Sequence, residues 1–505
     1  MATALIIGSG AAAAGAALAL NHRGNLEITV IDIELRLETD REQMVKALAS
    51  SSSDDWDVQT INSFRSSLLP QRLPVCLRSA CLVGYSKVLS GDTDAHPSAS
   101  PILPPDVGGD ERHVFNLAIT LAERGHEVAV ATHRMVGVPD QKSLASGVWV
   151  HRFATAAMRL PGVYSTSRTH HQPLPDPLAV RERARITQQE RPEVVHARNW
   201  IDNSALTLRR SSPTGPRFGL ILTLHDFSHV CATKRLMRMG SECEGPAAAR
   251  CLRCATAHYG PAMGPLTAGA TALMRRWKNR AIDHVVCVSH AVAAGNHILQ
   301  GPNTSVIPNF VRAEDVLGRE GNAEGRTEDI AAGLPKEDFL LFVGDLSRDK
   351  GLPTLLRAYE SLSRKRPPLL LVGRRAPDAP THLPQGVEMC TDWSHDHVMA
   401  AFRRCLFAVL PSICLDACPT TVLEAMASGR PVVTATTGGI VDMVVDGESG
   451  LLIPPSDEYK IAEAIGRLSN VADLRGSQHR QSWSASRRFT RGSFREILRH
   501  LQSTL

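Results

Sequence analysis

Short apolar runs alternate along this chain with longer stretches of helical period. The runs predict buried strands at residues 4–7, 27–32, 127–132, 194–196, 220–224, 284–289, 339–343, 369–372, 406–410 and 432–435. Between them apolar residues recur on one helical face. Val114, Leu117, Ala118, Leu121 and Ala122 form the clearest set, and Gly125 is placed to stop that helix. Strands alternating with helices predict parallel sheets covered on both faces. The alternation runs once before and once after a polar, glycine-rich segment, AEDVLGREGNAEGRTEDIAAG, read as an interdomain linker. Two doubly wound α/β domains facing a cleft are therefore expected, with a ligand at the strand ends.

The opening raises a separate question. In LIIGSGAAAAGAALAL, Gly8, Gly10 and Ala13 have G-x-G-x-x-A spacing, and Asp32 or Glu34 stands near the end of the next strand. This stretch resembles the head of an FAD-binding Rossmann domain. It decays into ALASSSSDDWDVQ, and no further strands of such a domain follow. One βαβ unit cannot cover its own sheet faces, so residues 1–70 are expected to be a truncated, poorly ordered remnant, and FAD is not expected as a cofactor. The run VCLRSACLVG is the candidate first strand of the domain that follows.

Composition narrows the picture slightly. The 505 residues, 43% hydrophobic and 21% charged, are ordinary for a globular chain with room for two or three domains. A net charge of +5 is small for this length, and no nucleic-acid partner is expected. Eleven cysteines without an extracellular framework, several in apolar runs (Cys287, Cys405, Cys414), suit a reducing compartment. The uncharged stretch 2–20 lacks a basic leader region and is weakly apolar for a membrane span. A cytoplasmic protein is expected, with peripheral contact at the inner membrane face as a further candidate.

The most informative passage is LPSICLDACPTTVLEAMASGRPVVTATTGGIVDMVVDGESGLLIPPSD. A strand ends at Leu410, a loop carries Asp416, and Pro419 opens a helix over residues 420–428 that Gly429 stops. The first amides of that helix, around Thr420, Thr421 and Val422, suit a phosphate. Further along, Glu424 is placed to accept hydrogen bonds from sugar hydroxyls. Asp416 and Glu424 with the AMASGRPVV run resemble the acid-x7-Glu pattern of retaining, GT-B fold glycosyltransferases of family 4. FVGDLSRDKGLPTLLRAY, VIPNF, PEVVHARN and GGDERHVFNLAITLAERGHEV extend the resemblance, in order, over residues 101–470.

The resemblance implies a transfer of sugar from a UDP-, GDP- or ADP-linked donor to a glycan or lipid-linked acceptor. It implies retention by same-face attack, without a required metal. Lys350, with Arg348, would neutralise the leaving diphosphate. The amides of Thr420 and Thr421 would bind the same phosphates, Glu424 the ribose, and Asp416 the transferred sugar. Gly108 and Gly109 would let the backbone approach the donor phosphate, and His225 would sit near the reacting centre. The implied organisation is a glycosyltransferase N-terminal domain at 71–310, a linker at 311–336, a donor domain at 337–480, and a C-terminal helix at 481–505 crossing back. Two departures stand out. Asp416 is shorter than the usual Glu, and Asp345 occupies a position where the pattern has Arg.

Other residues invite other chemistry. Cys231, Cys243, Cys251 and Cys254, in a loop-rich insertion, are a candidate set for a structural zinc; free thiols are the alternative. ALMRRWKNRAIDHVV groups Arg275, Arg276, Lys278 and Arg280 around Trp277, a solvated helix face or a contact for anionic lipid. His196 is expected to be structural. Against transfer stand three alternatives: a nucleotide-sugar epimerase of the same fold, a flavin oxidoreductase suggested by the opening, and a weakened glycan-binding protein suggested by Asp345.

Overall fold

The computed structural model describes residues 2–7, 26–31 and 80–83 and, with gaps chiefly at 157–172, 212–217, 317–332 and 471–480, residues 109–486. The opening forms its own unit, in which β1 (Ala2–Ile7) pairs in parallel with β2 (Leu26–Ile31). Gly8, Gly10, Ala13, Asp32 and Glu34 lie outside the described residues.

From Leu77 onward the chain is one unit with two parallel sheets. The first draws on β3 (Ala80–Val83), β4 (Val128–His133), β5 (Gln141–Ser143), β6 (Trp149–Phe153), β7 (Val194–Arg198) and β8 (Gly219–Leu224). After a small antiparallel ribbon, β9 (Met237–Arg238) with β10 (Ser241–Glu242), come its last strands, β11 (His284–Cys287) and β12 (Thr304–Val306). Their order is β12-β11-β8-β7-β3-β4-β6-β5, with β5 antiparallel to its neighbour. The VCLRSACLVG run thus supplies β3, which lies between β7 and β4. The second sheet, ordered β15-β14-β13-β16-β17-β18, contains β13 (Leu340–Val343), β14 (Leu369–Val372), β15 (Val387–Cys390), β16 (Phe407–Leu410), β17 (Val432–Ala435) and β18 (Gly450–Ile453). In each sheet the direction of winding reverses once, between β3 and β7 and between β13 and β16. Loops leaving the strand ends there diverge to opposite faces and leave a crevice.

Central strands are buried end to end because helices cover both faces; Leu340, Leu341, Leu369 and Val433 are fully inaccessible. Helix α1 (Gly109–Glu123) buries Val114, Leu117, Ala118 and Leu121, as its periodicity predicts. It ends at Gly125, in the left-handed region at φ +85°. Among the described residues the remaining α-helices are α2 (Pro177–Glu190), α3 (Asn203–Ser211), α4 (Ala248–Ala281), α5 (His290–Gly295), α6 (Leu352–Ser361), α7 (His395–Arg404), α8 (Thr420–Ala427) and α9 (Glu458–Asn470).

Two sequence expectations change. The cysteine-bearing insertion is only partly loop, because Cys251 and Cys254 lie on the first half of α4, which kinks at Gly260 before Pro261. Lys278 is not on a solvated face: it is 2% exposed, whereas Arg276 and Arg280 face solvent. Of the C-terminal segment only residues 481–482 and 484–486 are described, and Ser482 donates a hydrogen bond to the Ser449 carbonyl. Among the described residues, no helix is long and apolar enough to cross a membrane.

Candidate active site

The loop after β13 and the loop after β16 leave neighbouring strands at the reversal point of the second sheet. They bring Lys350 and Asp416 together although 66 positions separate them, with Nζ to Oδ1 at 2.5 Å. Burial alone would lower the lysine pKa. The Asp416 charge and hydrogen bond, with smaller effects of Cys414 and Asp345, outweigh it and hold Lys350 above the ordinary lysine range. Raised in this way, the pair contributes its stability at neutral pH and loses it only in strongly alkaline solution.

Close backbone packing fixes the geometry. Gly351 has φ +75°, and a Cβ there would lie 2.0 Å from the Pro411 carbonyl oxygen. Ile413 N–H donates to the Asp349 carbonyl, joining the two loops. The Asp416 carbonyl accepts from Gly439 N–H at 2.7 Å, where a side chain at 439 would collide with Ala417 O.

Helix α8 begins beside Asp416. Its N-cap is Pro419, one position earlier than the first-turn role expected for it, and it gives no side-chain cap. Val422 N–H donates to the Pro419 carbonyl and so is not a free donor. Thr420 and Thr421 N–H have no protein partner among the described residues and form the positive end of the helix. Gly109, at the start of α1, abuts this end, and a Cβ at 109 would lie 3.2 Å from Thr420 Oγ1. Two helix N-termini, one from each sheet region, therefore face the same space. Gly108 lies outside the described residues.

Glu424, one turn into α8, is 4% exposed. Its Oε1 lies 3.9 Å from Arg112 Nε of α1 and 3.9 Å from His395 Nε2 at the start of α7. Burial pushes its carboxyl up to about 7, with Arg112 opposing the shift and Asp315 adding to it. His395 is held well below the usual histidine range by burial and then by Arg112 and Arg403. Sequence reading missed both Arg112 and His395. Arg112 sits on the solvent-facing phase of the α1 pattern, and nothing local shows that this face meets α8.

Asp345 is paired with another unforeseen residue. Arg374, just past β14, donates to both carboxylate oxygens of Asp345, at 2.8 and 3.1 Å. Arg348 has an exposed side chain, and its backbone N–H donates to Asp378.

His225 follows β8 and is 6% exposed. Its Nε2 is 3.0 Å from Arg198 Nη1; arginine can only donate, so Nε2 accepts and the ring proton sits on Nδ1. Burial, then the Arg198 charge, keeps the ring neutral at physiological pH. It packs edge-on against His113 of α1, the neighbour of Arg112, with ring centroids 5.2 Å apart. His225 therefore borders the site through α1. His196 is bonded to Thr223 Oγ1 at 2.5 Å inside the first sheet, a structural role.

Cys231, Cys243, Cys251 and Cys254 are all reduced and partly exposed. Among the described residues no group of three or more His, Cys, Asp or Glu stands in position to hold a metal ion. The reason is local bonding: Cys231 Sγ contacts Thr233 Oγ1, Cys243 Sγ donates to Gly245 O, and Cys251 Sγ accepts from Ala247 N–H. The four are nonetheless neighbours, because burial and then each of the other three raises the Cys254 pKa.

Comparison with known proteins agrees with this architecture. Residues 107–315 match the model of Glycosyltransferase Family 4, and residues 337–470 match that of Glycosyl transferases group 1. Glycogen synthase of Mycobacterium tuberculosis is 25% identical over 412 residues, covering 77% of this chain and 88% of that protein. D-inositol 3-phosphate glycosyltransferase of Acidothermus cellulolyticus is 27% identical over 393 residues, 72% of this chain and 78% of its own. Sucrose-phosphate synthase from Thermosynechococcus elongatus superposes with TM-score 0.60 at 20% identity, over 85% of this chain and 100% of its own. Anabaena HepE in complex with UDP-glucose superposes with TM-score 0.56 at 17% identity over the same shares. With two parallel-sheet domains, a lysine and a carboxylate at the reversal point, and both family models matched in order, the chain belongs to the group 1, family 4 glycosyltransferases of GT-B fold.

Proposed function

We propose that the protein transfers a sugar from a nucleotide sugar to a glycan or lipid-linked acceptor, with retention of configuration and without a metal. The observation that carries this reading is the convergence of Lys350, the uncapped start of α8 and the Gly109 start of α1 on one space. Each of these favours negative charge, so a leaving diphosphate is stabilised without a metal ion. Asp416 then faces the transferred sugar, and Glu424 the ribose. In same-face attack the bond from C1 to the diphosphate oxygen breaks, the acceptor oxygen bonds C1 on that face, and its proton passes to the donor phosphate. His225, neutral and bordering the site, positions rather than titrates. A UDP-glucose complex of HepE and relatives named for glycogen and inositol phosphate support a nucleotide-sugar donor and a hydroxylated acceptor. A cytoplasmic location belongs to the same proposal.

Thermal melting with UDP-, GDP- and ADP-glucose tests the donor assignment. One of the three is expected to raise the midpoint in the presence of EDTA, since a bound ligand must stabilise the native state. The product anomer, read by NMR, is expected to match the donor. Absence of stabilisation by all three, or an inverted product, overturns the reading.

The Glu424 carboxyl makes donor binding pH-dependent. With its pKa at about 7, the ionised form that accepts ribose hydroxyls increases about tenfold between about pH 6 and pH 8. Donor affinity is expected to rise by a similar factor over that range, and to be flat in Glu424→Gln. Stability moves the other way. The native state holds this proton more tightly than the unfolded chain, so the group favours folding at low pH. That contribution fades as pH rises from the ordinary carboxylate range through about 7.

A structural zinc at Cys231, Cys243, Cys251 and Cys254 is also proposed. Burial first, and then the nearness of the other three sulfurs, raises the Cys254 thiol; a divalent cation offsets both, and binding requires the sulfurs to turn inward from their present partners. Elemental analysis is expected to find about one zinc per chain, and its removal by a chelator to lower the melting midpoint. Metal-free protein with four titratable thiols and an unchanged midpoint rules the zinc out.

A further inference from the structure

A cavity of about 410 Å³ lies between the cysteine-bearing segment and the loops that carry Lys350 and Asp416. Arg235, Arg238, Arg253 and His258 line one side, and Asp349 and Cys414 line the other. Arg235 forms an ion pair with Asp349 across it. Arg238 and Arg253 meet no carboxylate among the described residues; Arg253 reaches only the Ala249 carbonyl of its own helix. Glu242 is opposite Met237 in the ribbon and does not line the cavity, and Glu244 is taken by Arg250. Three guanidinium groups against one carboxylate leave the walls with excess positive charge, and their planar donors match phosphate oxygens.

The position is as telling as the charge. Asp349 immediately precedes Lys350, and Cys414 Sγ lies 3.5 Å from Asp416 Oδ1. The cavity thus opens beside the residues assigned to the leaving diphosphate and the transferred sugar, on the side contributed by the first sheet region. We propose that it binds a phosphate group of the acceptor and so selects a phosphorylated acceptor. This rests on the transfer reading above. The shared chemistry is a phosphate near the attacking hydroxyl, whether on a free sugar phosphate or on a lipid headgroup.

The test uses the full chain, the Arg238→Ala/Arg253→Ala variant and the Arg238→Lys/Arg253→Lys variant. Binding of glucose 6-phosphate and of glucose is measured by calorimetry, and sedimentation with phosphatidylglycerol or phosphatidylcholine vesicles by pelleting. The wild-type protein is expected to bind glucose 6-phosphate at least about tenfold more tightly than glucose, with that preference lost in the alanine variant and partly kept in the lysine variant. If phosphatidylglycerol vesicles show this dependence and glucose 6-phosphate does not, the phosphate belongs to a lipid headgroup. If neither probe distinguishes the wild type from the alanine variant, the proposal is overturned. Melting with UDP-, GDP- and ADP-glucose, run in parallel, reports on the donor cleft. Its failure alone removes the transfer reading, whereas failure of the phosphate probes alone removes only the acceptor assignment.

Discussion

Replacing Lys350 by alanine is expected to lower the turnover number by about 10²–10³-fold, the usual cost of deleting one preorganised donor at a developing negative charge. The lysine sits where two loops at the reversal point of the second sheet meet, and in the structure its charge is held by Asp416 at 2.5 Å. A diphosphate competes with that carboxylate for the same ammonium, and its charge grows as the sugar bond breaks. The loss should therefore fall on turnover more than on donor KM. Lys350→Arg, which keeps the charge but not the compact geometry, is expected to recover part of the rate. Initial-rate measurements on the variants decide the matter, and turnover within about threefold of wild type in Lys350→Ala would show that the leaving group is stabilised elsewhere.

Gly351→Ala is expected to cost about 3 kcal/mol or more of stability, from left-handed backbone strain added to an overpacked contact. The φ of +75° disfavours a side chain, and the Pro411 carbonyl 2.0 Å from the built Cβ cannot rotate away. At about 2–4 °C per kcal/mol the melting midpoint should drop by about 6–12 °C. Activity should fall as well, because displacing Pro411 moves the loop that ends in Asp416. Gly466→Ala is the control: it lies within α9 with nothing within 4 Å of its built Cβ, and alanine there should be neutral or stabilise by up to about 1 kcal/mol. Equal melting midpoints for the two variants would mean that the approach of Pro411 to Gly351 is not a constraint.

Much of this protein was legible from residue order, because the signals are local. Apolar runs at 369–372 and 432–435 coincide with β14 and β17, since a strand buried on both faces needs no partner to be recognised. Gly125 and Gly429 end their helices in the left-handed region, a preference set by the absence of a Cβ. Lys350 and the Asp416–Glu424 pair stood out only through the resemblance to a known family, whereas the unfilled amides at Thr420 follow from its place at a helix start. Tertiary structure alone decided what meets across the chain. It paired Asp345 with Arg374, set Arg112 of α1 beside Glu424 of α8, and turned the sulfurs of Cys231, Cys243 and Cys251 toward local partners. It also joined three arginines of the inserted segment to the Lys350 loop around one cavity. The physical reason is that periodicity records which face of an element is apolar, whereas an ion pair or a shared cavity depends on which elements the two sheets bring together.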